Sequence, residues 1–269
     1  MTDGETPRPD IPDAVVDLIR GADWITVFSG AGMSAESGIA TFRDAQAGGR
    51  SQAALWDRFD PAELATPEAW DRDPALVWGW YRWRAGHVRT AQPNAGHHAL
   101  ADLGANRTVM VVTQNVDDLH ERAGSDVISH LHGSLFAPRC SVCGTPYEGV
   151  DALPDDRPRD DSTFDPRVPP PTCRRCGGSV RPGVVWFGEA LPESDWQRAD
   201  QAFRASEAII VVGTSGIVYP AAALPERAVR AGIPVIEFNP APSALSEVAT
   251  HSLRLSAAQG LPALLRALD

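Results

Sequence analysis

The apolar positions of the chain form two kinds of pattern, which alternate along its length. Short continuous runs rich in Val, Ile and Phe are typical of parallel strands buried on both faces, whereas a 3.6-residue period is typical of helices. Strands are predicted at residues 24–28, 108–112, 127–134, 208–212, 233–237 and 252–255. Helices are predicted at residues 12–21, 74–87, 93–103, 195–206, 218–231 and from 261 onward. This alternation predicts an α/β fold with a doubly wound parallel, Rossmann-like sheet.

A glycine turn, Gly30-Ala31-Gly32, follows the first predicted strand. Glycine permits close backbone approach and positive φ, and a strand-to-helix turn can direct amide groups towards a phosphate. We therefore expect this turn to open a helix and to bind an anion. The stretch departs from the dinucleotide fingerprint G-x-G-x-x-G, because Met33 and Ser34 are not followed by the third glycine. Taken alone, the turn also fits a plain strand-to-helix connection.

Polar residues follow other predicted strands at their carboxyl ends, where ligands bind in open parallel sheets. After the second strand, Asn115 and Asp117 offer an amide and a carboxylate to a small polar ring, and Gln114 is placed to reach a sugar hydroxyl. The segment 213–215, Gly-Thr-Ser, brings small and hydroxyl-bearing residues to the end of a later strand. Each segment by itself also fits an ordinary polar turn.

Among the seven histidines of the chain, His132 is the strongest candidate for a general base. It stands beside a glycine near the end of a predicted strand, and the ordinary pKa of histidine suits proton transfer near neutrality. His130, two residues earlier on the same strand face, is the alternative.

The four cysteines form two C-x-x-C pairs, Cys140 with Cys143 and Cys173 with Cys176. Two such pairs can supply four thiolates to a tetrahedral Zn²⁺, which then has no open position for catalysis. We therefore expect one structural zinc ion that stabilises a small domain. Disulfides are the alternative, but paired C-x-x-C spacing in a cytosolic chain argues against them.

Tyr81 and Arg84 are three residues apart on a predicted helix and share one of its faces. A phenol and a guanidinium together can bind a carboxylate. The alternative is a tyrosine packed beneath an exposed arginine, without a role in binding.

Composition favours a globular protein and argues against a nucleic-acid binder or a membrane protein. With 269 residues, 43% of them hydrophobic, the chain can bury a large core. Its net charge of −11 argues against a general nucleic-acid binder, since phosphate contacts need clustered cations. No apolar run approaches the ~20 residues of a membrane helix, and the acidic N-terminus is unlike a secretory signal, so a cytoplasmic protein without a membrane partner is expected. All 24 basic residues are arginine, so the chain has no lysine of its own to be modified.

Five stretches, taken in order, resemble the sirtuins of bacteria and archaea, which are NAD-dependent protein-lysine deacylases. GAGMSAESGIATFR, at residues 30–43, resembles their NAD-binding signature. It is followed by TQNVDDLH, by HGS, by the two C-x-x-C pairs and by the segment 180–189. The resemblance covers nearly the whole chain. It implies that NAD is consumed as a co-substrate and that acylated-lysine proteins are the partners acted upon.

The resemblance also implies roles for individual residues, with His132 and Asn115 catalytic. The implied NAD contacts are Gly30, Ala31, Gly32, Ser34, Phe42, Arg43, Gln114, Asn115, Asp117, Gly213, Thr214, Ser215, Asn239 and Ala257. The implied substrate contacts are Tyr81, Arg84, Val184, Val185, Trp186, Phe187 and Gly188. At the adenine end the chain departs from the family, because SAAQG at residues 256–260 replaces the usual glycine-bearing pattern.

The implied reaction removes acetyl groups from lysine, and the Tyr-x-x-Arg pair resembles the branch that removes succinyl, malonyl or glutaryl groups. The acyl oxygen attacks the nicotinamide ribose as nicotinamide leaves, and His132 then takes a proton from a ribose hydroxyl. The products are free lysine, nicotinamide and O-acyl-ADP-ribose. The alternatives are an ADP-ribosyltransferase or NAD glycohydrolase on the same scaffold, and a zinc-containing module that senses NAD without consuming it.

Two domains are expected, with the ligand cleft between them. The segments of the large, NAD-binding domain are 13–45, 91–135 and 180–269. The helical segment 46–90 and the zinc segment 136–179 form the smaller domain. Residues 1–12 are expected to be a flexible lead, and the polar stretch 44–60 to be a loop that closes over the ligand.

Overall fold

The computed structural model of the chain describes residues 9–39, 64–148 and 167–269. Its strands are β1 (Trp24–Ser29), β2 (Thr108–Thr113), β3 (Asp126–His130), β4 (Arg139–Cys140), β5 (Val180–Arg181), β6 (Ala208–Val212), β7 (Val235–Phe238) and β8 (His251–Leu253). Within the described ranges, six of them form one parallel sheet in the order β3-β2-β1-β6-β7-β8. The order reverses between β1 and β6, which is the switch point of a Rossmann-like sheet. The predicted fold class is confirmed.

The described helices are α1 (Asp13–Arg20), α2 (Pro67–Arg72), α3 (Pro74–Thr90), α4 (Ala95–Leu103), α5 (Leu119–Ala123), α6 (Glu193–Ala205), α7 (Ala223–Arg230) and α8 (Ala257–Leu268). Local sequence explains two of the starts. Asp73 caps α3 by accepting a backbone N–H, and Pro74 takes the first helical position, where a missing N–H has no cost. Asn94 caps α4 by accepting the N–H groups of Gly96 and His97. None of the described helices combines the length and the apolarity needed to span a bilayer.

Helices cover both faces of the large sheet. On one face, α1, α4 and α8 bury side chains such as Ile19, Leu100 and Leu264 against the strands. On the other, α6 and α7 bury Phe203 and Leu224. Because β6 is covered on both sides, all five of its residues are buried, which explains its uninterrupted apolar sequence.

A separate aromatic core lies between α2, α3 and the segment that contains β5. This aromatic core consists of Trp70, Trp78, Trp80, Trp83 and Trp186, with Tyr81, Val180 and Val184 packed in the same cluster. All three tryptophans of α3, Trp78, Trp80 and Trp83, are therefore buried. Beside it, β4 and β5 form a short antiparallel pair that joins the two halves of the cysteine-bearing segment.

Several predictions of local structure are wrong. The glycine turn opens no α-helix but two short 3₁₀ turns, Ala31–Met33 and Ala35–Ser37, because its small polar residues offer no continuous apolar face. Gly30 and Gly32 do not adopt positive φ either. The last helix begins at Ala257 rather than at residue 261, since Ser256 already has the extended geometry of an N-cap.

Candidate active site

The turns that follow β1 and β6 interlock at the switch point of the sheet. Gly30 N–H donates to Val212 O at 3.0 Å, and Gly32 N–H donates to Gly213 O at 2.8 Å. A Cβ on Gly30 or Gly32 would lie 2.8 Å from atoms of the second turn, and a Cβ on Gly213 would lie 2.3 Å from Met33 N. Gly213 also has φ +62°, which disfavours other residues. Glycine at these positions is therefore required by close approach of the two turns.

A buried polar group joins the first turn to the end of β2. Ser34 Oγ donates to Asp117 Oδ2 at 2.9 Å and accepts from Asn115 Nδ2 at 3.2 Å. Leu119 N–H donates to the other Asp117 oxygen. Burial raises the pKa of Asp117, although these hydrogen bonds oppose the effect. Residues predicted from two separate motifs, Ser34 from the first and Asn115 and Asp117 from the second, thus lie together at one edge of the sheet.

Other residues predicted to contact NAD form a second group, around Thr214. Gln114 Nε2 donates to Thr214 Oγ1 at 3.0 Å, and Asn239 Nδ2 donates to Thr214 O at 2.7 Å. Ser215 O accepts from the backbone of the loop after β7. Ala257, by contrast, is buried, and its carbonyl would lie 2.7 Å from a Cβ on Gly96. Its backbone therefore packs against the start of α4.

His132 is held in the protonation form that a general base needs. Its Nδ1 lies 3.0 Å from Gln114 O, and because a carbonyl oxygen can only accept, Nδ1 carries the proton. The lone pair is then on Nε2, which has no hydrogen-bond partner in the described part of the chain. Burial lowers the pKa of His132, and the bond to Gln114 opposes this only partly. The ring is consequently neutral near pH 7.

His130, the other candidate, is engaged on both ring nitrogens. Nδ1 contacts Asn115 O at 3.1 Å and Nε2 contacts Glu121 Oε1 at 2.5 Å. It therefore has no lone pair to offer a substrate. Of the two histidines, the geometry favours His132 as the base.

The segment predicted to bind acyl-lysine adjoins His132. Val185 N–H donates to His132 O at 2.9 Å. Val184 and Trp186 point into the aromatic core, so they shape the segment from within, whereas Phe187 is 49% exposed. Gly188 has φ +86° at the turn that ends the segment.

Arg181 and Glu189 fix this segment, and neither was singled out from the sequence. The Arg181 guanidinium bonds Glu189 at 2.6 and 2.9 Å and stacks 3.4 Å from the Trp186 ring centroid. Glu189 also accepts Trp186 N–H at 2.8 Å. The two charged residues are eight positions apart on opposite sides of a turn, a spacing typical of no regular element, so only the fold shows the contact.

Tyr81 and Arg84 lie together on α3, as their spacing predicts. The guanidinium carbon of Arg84 is 4.9 Å from the Trp80 ring centroid and 5.7 Å from that of Tyr81. Burial raises the pKa of Tyr81 to about 12, so its hydroxyl keeps its proton at any working pH. Burial lowers the pKa of Arg84, and the charges of Tyr81 and Asp117 counteract this.

Phe42 and Arg43, also predicted to contact NAD, lie outside the described residues, as does the loop predicted at 44–60. The helix predicted at residues 218–231 is shorter in the structure, where it begins at Ala223. The loop before it is exposed, with Ile217 66% and Tyr219 62% exposed.

The four cysteines meet at one point. Their Sγ atoms all lie within 4.8 Å of one another, with Cys140 3.4 Å from Cys176 and Cys143 3.8 Å from Cys173. These separations fit the ~3.8 Å edge of a tetrahedron with Zn–S bonds of ~2.3 Å, and they far exceed the ~2.05 Å of a disulfide. The backbone N–H groups of Val142 and Cys143 also point at Cys140 Sγ, as expected for a thiolate ligand. The cysteines therefore fit one structural zinc ion and no disulfide.

Comparisons with known proteins extend these observations. Residues 30–220 match the model of the Sir2 family. The chain is 50% identical over 261 residues to NAD-dependent protein deacylase 2 of Corynebacterium efficiens, covering 94% of this chain and 96% of that one. It is 52% identical over 254 residues to NAD-dependent protein deacylase 1 of Pseudomonas aeruginosa, covering 94% and 97%.

Solved structures give the same result. A Sir2 homologue in complex with NAD superposes with a TM-score of 0.82 at 40% identity, covering 98% of this chain and 96% of that one. Sir2Tm bound to a propionylated peptide superposes with a TM-score of 0.77 at 25% identity, covering 96% and 99%. By sequence and by structure, this chain belongs to the Sir2 family.

Proposed function

We propose that this chain removes acyl groups from protein lysine and consumes one NAD for each group removed. The observation that carries the proposal is the state of His132, a neutral imidazole with an unpartnered Nε2. This residue is bonded to the turn after β2 through Nδ1 and to the segment that begins at Val184 through its backbone carbonyl. Similarity to relatives named NAD-dependent protein deacylases supports the same reaction.

In this proposal, NAD lies across the switch point of the sheet. Its pyrophosphate faces the turn Gly30–Gly32, where close packing leaves room for main chain only. The adenosine half faces residues 213–215 and Asn239, and the nicotinamide end faces Asn115 and Asp117. Acyl-lysine enters beside residues 184–188 on the other side of His132.

The reaction then follows from this placement. The acyl oxygen forms a bond to the ribose carbon as the bond from that carbon to nicotinamide breaks. Holding the two reactants in line is worth ~7–11 kcal/mol of barrier. His132 Nε2 next accepts a proton from a ribose hydroxyl, whose oxygen attacks the acyl carbon. Water then releases free lysine and O-acyl-ADP-ribose.

For acyl selectivity, we propose that Tyr81 and Arg84 bind the distal carboxylate of succinyl, malonyl and related groups. The Tyr81 hydroxyl stays protonated and so remains a donor, and Arg84 supplies a charge in a largely buried place. Both features strengthen a bond to a carboxylate. An acetyl group reaches neither donor, so its removal depends less on this pair.

We also propose that the chain is divided as its sequence predicts. Segments 13–45, 91–135 and 180–269 form the NAD-binding domain, and 46–90 with 136–179 form the smaller one. The position of β4 outside the large sheet supports this division, whereas β5, at the start of the segment 180–269, pairs with β4 and not with the large sheet. The packing of Val184 and Trp186 against α3 gives the two parts a shared aromatic core.

The test is mass spectrometry of acetyl- and succinyl-lysine peptides incubated with NAD and the zinc-loaded protein. We expect free lysine peptide, nicotinamide and O-acyl-ADP-ribose in equal amounts. His132→Ala should lower the rate by ~10²–10⁴-fold, because general-base catalysis contributes that much. His98→Ala, which alters an exposed histidine on α4, is the matched control and should leave the rate unchanged.

Other products would contradict the proposal. Nicotinamide release without any acylated peptide, or ADP-ribose attached to protein, would favour the glycohydrolase or transferase alternative. Binding of NAD with no turnover on either peptide would favour a sensing module. Full activity of His132→Ala would remove this residue from its assigned role.

A further inference from the structure

His130 is placed so that both of its ring nitrogens must carry a proton. Nδ1 faces Asn115 O at 3.1 Å, and a carbonyl oxygen only accepts. Nε2 faces Glu121 Oε1 at 2.5 Å. A carboxylate is a weaker base than imidazole, so the shared proton stays on the ring. The geometry therefore defines an imidazolium that bridges α5 and the turn after β2.

His130 and His132 donate hydrogen bonds to neighbouring carbonyl groups but differ in charge, since His130 is a cation and His132 is neutral. His132 Nδ1 donates to Gln114 O, and His130 Nδ1 donates to Asn115 O. His132 is neutral because burial lowers its pKa. Burial acts on His130 in the same direction, but the hydrogen bond and the charge of Glu121 outweigh it and raise the pKa of His130. Groups whose environments separate their pKa values in this way often have separate roles in a mechanism.

The other titratable and charged groups around His130 are compatible with a protonated, cationic His130 ring. On α5, Glu121 is the direct partner, and buried His120 is kept neutral, with a pKa well below normal, chiefly by burial. From the turn after β2, the charge of Asp117 favours the imidazolium. On α6, Asp195 accepts the backbone N–H of His130 at 3.3 Å and is itself paired with Arg198.

We propose that the His130 imidazolium, clamped by Glu121, is a positioning residue that holds the Gln114–Asp117 turn in its working geometry and sets the alkaline limit of activity. The inference rests on the proposed function, since that turn carries Asn115 and Asp117 to the nicotinamide end of NAD. His130 itself touches no reacting atom, because both nitrogens are already occupied.

Loss of one proton forces His130 to give up one contact. The proton that remains stays on Nε2, because a bond to the Glu121 carboxylate is stronger than one to a carbonyl. Nδ1 then presents a lone pair to Asn115 O, and the two repel each other. The clamp is complete at pH values below the normal pKa of histidine and is lost as pH rises through the raised pKa of His130. Activity should therefore rise with pH as His132 becomes neutral and fall again at higher pH.

The test is the pH profile of kcat from pH 5.5 to 9.5 for the wild type, Glu121→Gln, His130→Gln and the surface control His98→Gln. Removing the Glu121 charge should move the alkaline limb to lower pH by about one to three units, because an adjacent opposite charge shifts a pKa by that amount. His130→Gln should have no alkaline limb while keeping the acid limb of His132. His98→Gln should reproduce the wild type. Far-UV circular dichroism and zinc content verify that each variant is folded.

A purely structural pair would lower kcat equally at every pH, and that result would overturn the proposal. So would an alkaline limb that persists unchanged in His130→Gln, or a wild type without such a limb. Ring ¹⁵N NMR of His130 provides a readout that does not depend on turnover, with both nitrogens protonated at pH 7 in the wild type and one in Glu121→Gln. If the NMR result holds while no peptide is deacylated at any pH, the proposed function has failed and the charge state of His130 stands. A neutral His130 in active enzyme refutes the inference alone.

Discussion

At the scale of single residues, the surroundings of Arg84 determine how well its charged side chain can bind a carboxylate. The guanidinium carbon lies 4.9 Å from the Trp80 ring centroid and 5.7 Å from that of Tyr81, and the charge of Asp117 opposes the effect of burial on the pKa of Arg84. Stacking and burial remove water from the cation without neutralising it, so an incoming carboxylate replaces little solvent. A lysine in the same place would lose both the planar stacking and the forked donors.

The proposed carboxylate contact predicts unequal losses on two substrates. Tyr81→Phe and Arg84→Met should each reduce kcat/KM for a succinyl-lysine peptide by ~10–100-fold, since a hydrogen bond to a charged group is worth ~1.5–3 kcal/mol. The acetyl-lysine reaction should change by less than about threefold. Arg89→Met removes an exposed cation from the same helix and should affect neither substrate. Equal losses on both peptides would reject the carboxylate contact.

The sequence identified residues whose local motif is informative, and it missed residues that act through long-range pairs. His132 was found because HGS resembles a family motif at the end of a strand. Glu237 was not found, although it is buried and accepts hydrogen bonds from the hydroxyl groups of Ser243, Ser246 and Ser252. No periodic pattern relates these positions, because the contacts between Glu237 and the serines depend on the path of the chain after β7.

At the scale of elements, the start of α4 braces the glycine turn. The Asn94 side chain caps the helix through Oδ1 and also donates from Nδ2 to Met33 O at 2.8 Å and to Ser37 Oγ at 3.1 Å. His97 completes the cap by accepting Asn94 N–H, and burial keeps its ring neutral by lowering its pKa to about 4. One side chain therefore fixes a helix and positions the turn that is proposed to bind pyrophosphate.

Asn94→Ala should have two effects. Loss of the cap should lower the free energy of unfolding by ~1 kcal/mol, measured by urea denaturation. Loss of the contacts to the turn should also weaken NAD binding, measured by calorimetry. Thr66→Ala removes a comparable cap from α2 and should cost similar stability without changing NAD affinity. If both variants bind NAD equally well, Asn94 acts on the helix alone.

Elements with strong periodicity were predicted well, and short irregular ones were not. β6 and α4 were placed to within a residue or two, since continuous burial and a side-chain cap leave clear signals. The 3₁₀ turns after Gly30 and the exposed loop before α7 were predicted as helix. In both places the conformation depends on contacts with neighbouring turns, and the local sequence alone does not predict such contacts.

At the scale of the whole molecule, the metal site and the aromatic core depend on each other. Cys140 pairs with Val180 between β4 and β5, and Val180 is buried in the same cluster as Trp186. An isolated pair of two-residue strands is not stable in water. The zinc ion would therefore order the segment that leads to residues 184–188.

Removal of zinc with a chelator should abolish deacylation and shift tryptophan fluorescence as the aromatic core loosens. Far-UV circular dichroism should change much less, because the large sheet and its helices have their own cores. Added Zn²⁺ should restore both signals, and Mg²⁺ should not, since thiolates bind it poorly. Unchanged fluorescence and activity in verified metal-free protein would contradict this dependence.

The sequence predicted the class of fold and the cysteine cluster, because strand-helix alternation and C-x-x-C spacing are local signals of global organisation. The sequence allowed the apolar residues of the segment 184–188 to serve both the substrate and the core, but it did not indicate that Val184 and Trp186 are the ones that fill the core against α3. Which face of a short apolar segment is buried depends on its partner, and here the partner lies about a hundred residues earlier.

The glycines at Gly30, Gly32 and Gly213 pack main chain against main chain, with no space for a Cβ at any of them. An inhibitor that contacted only the main chain of this edge would contact atoms common to every amino acid. Substitution of the three glycines would damage the fold before it excluded such a compound. Resistance would then have to arise at more distant residues, and compounds designed against this edge should retain potency across variants of the enzyme.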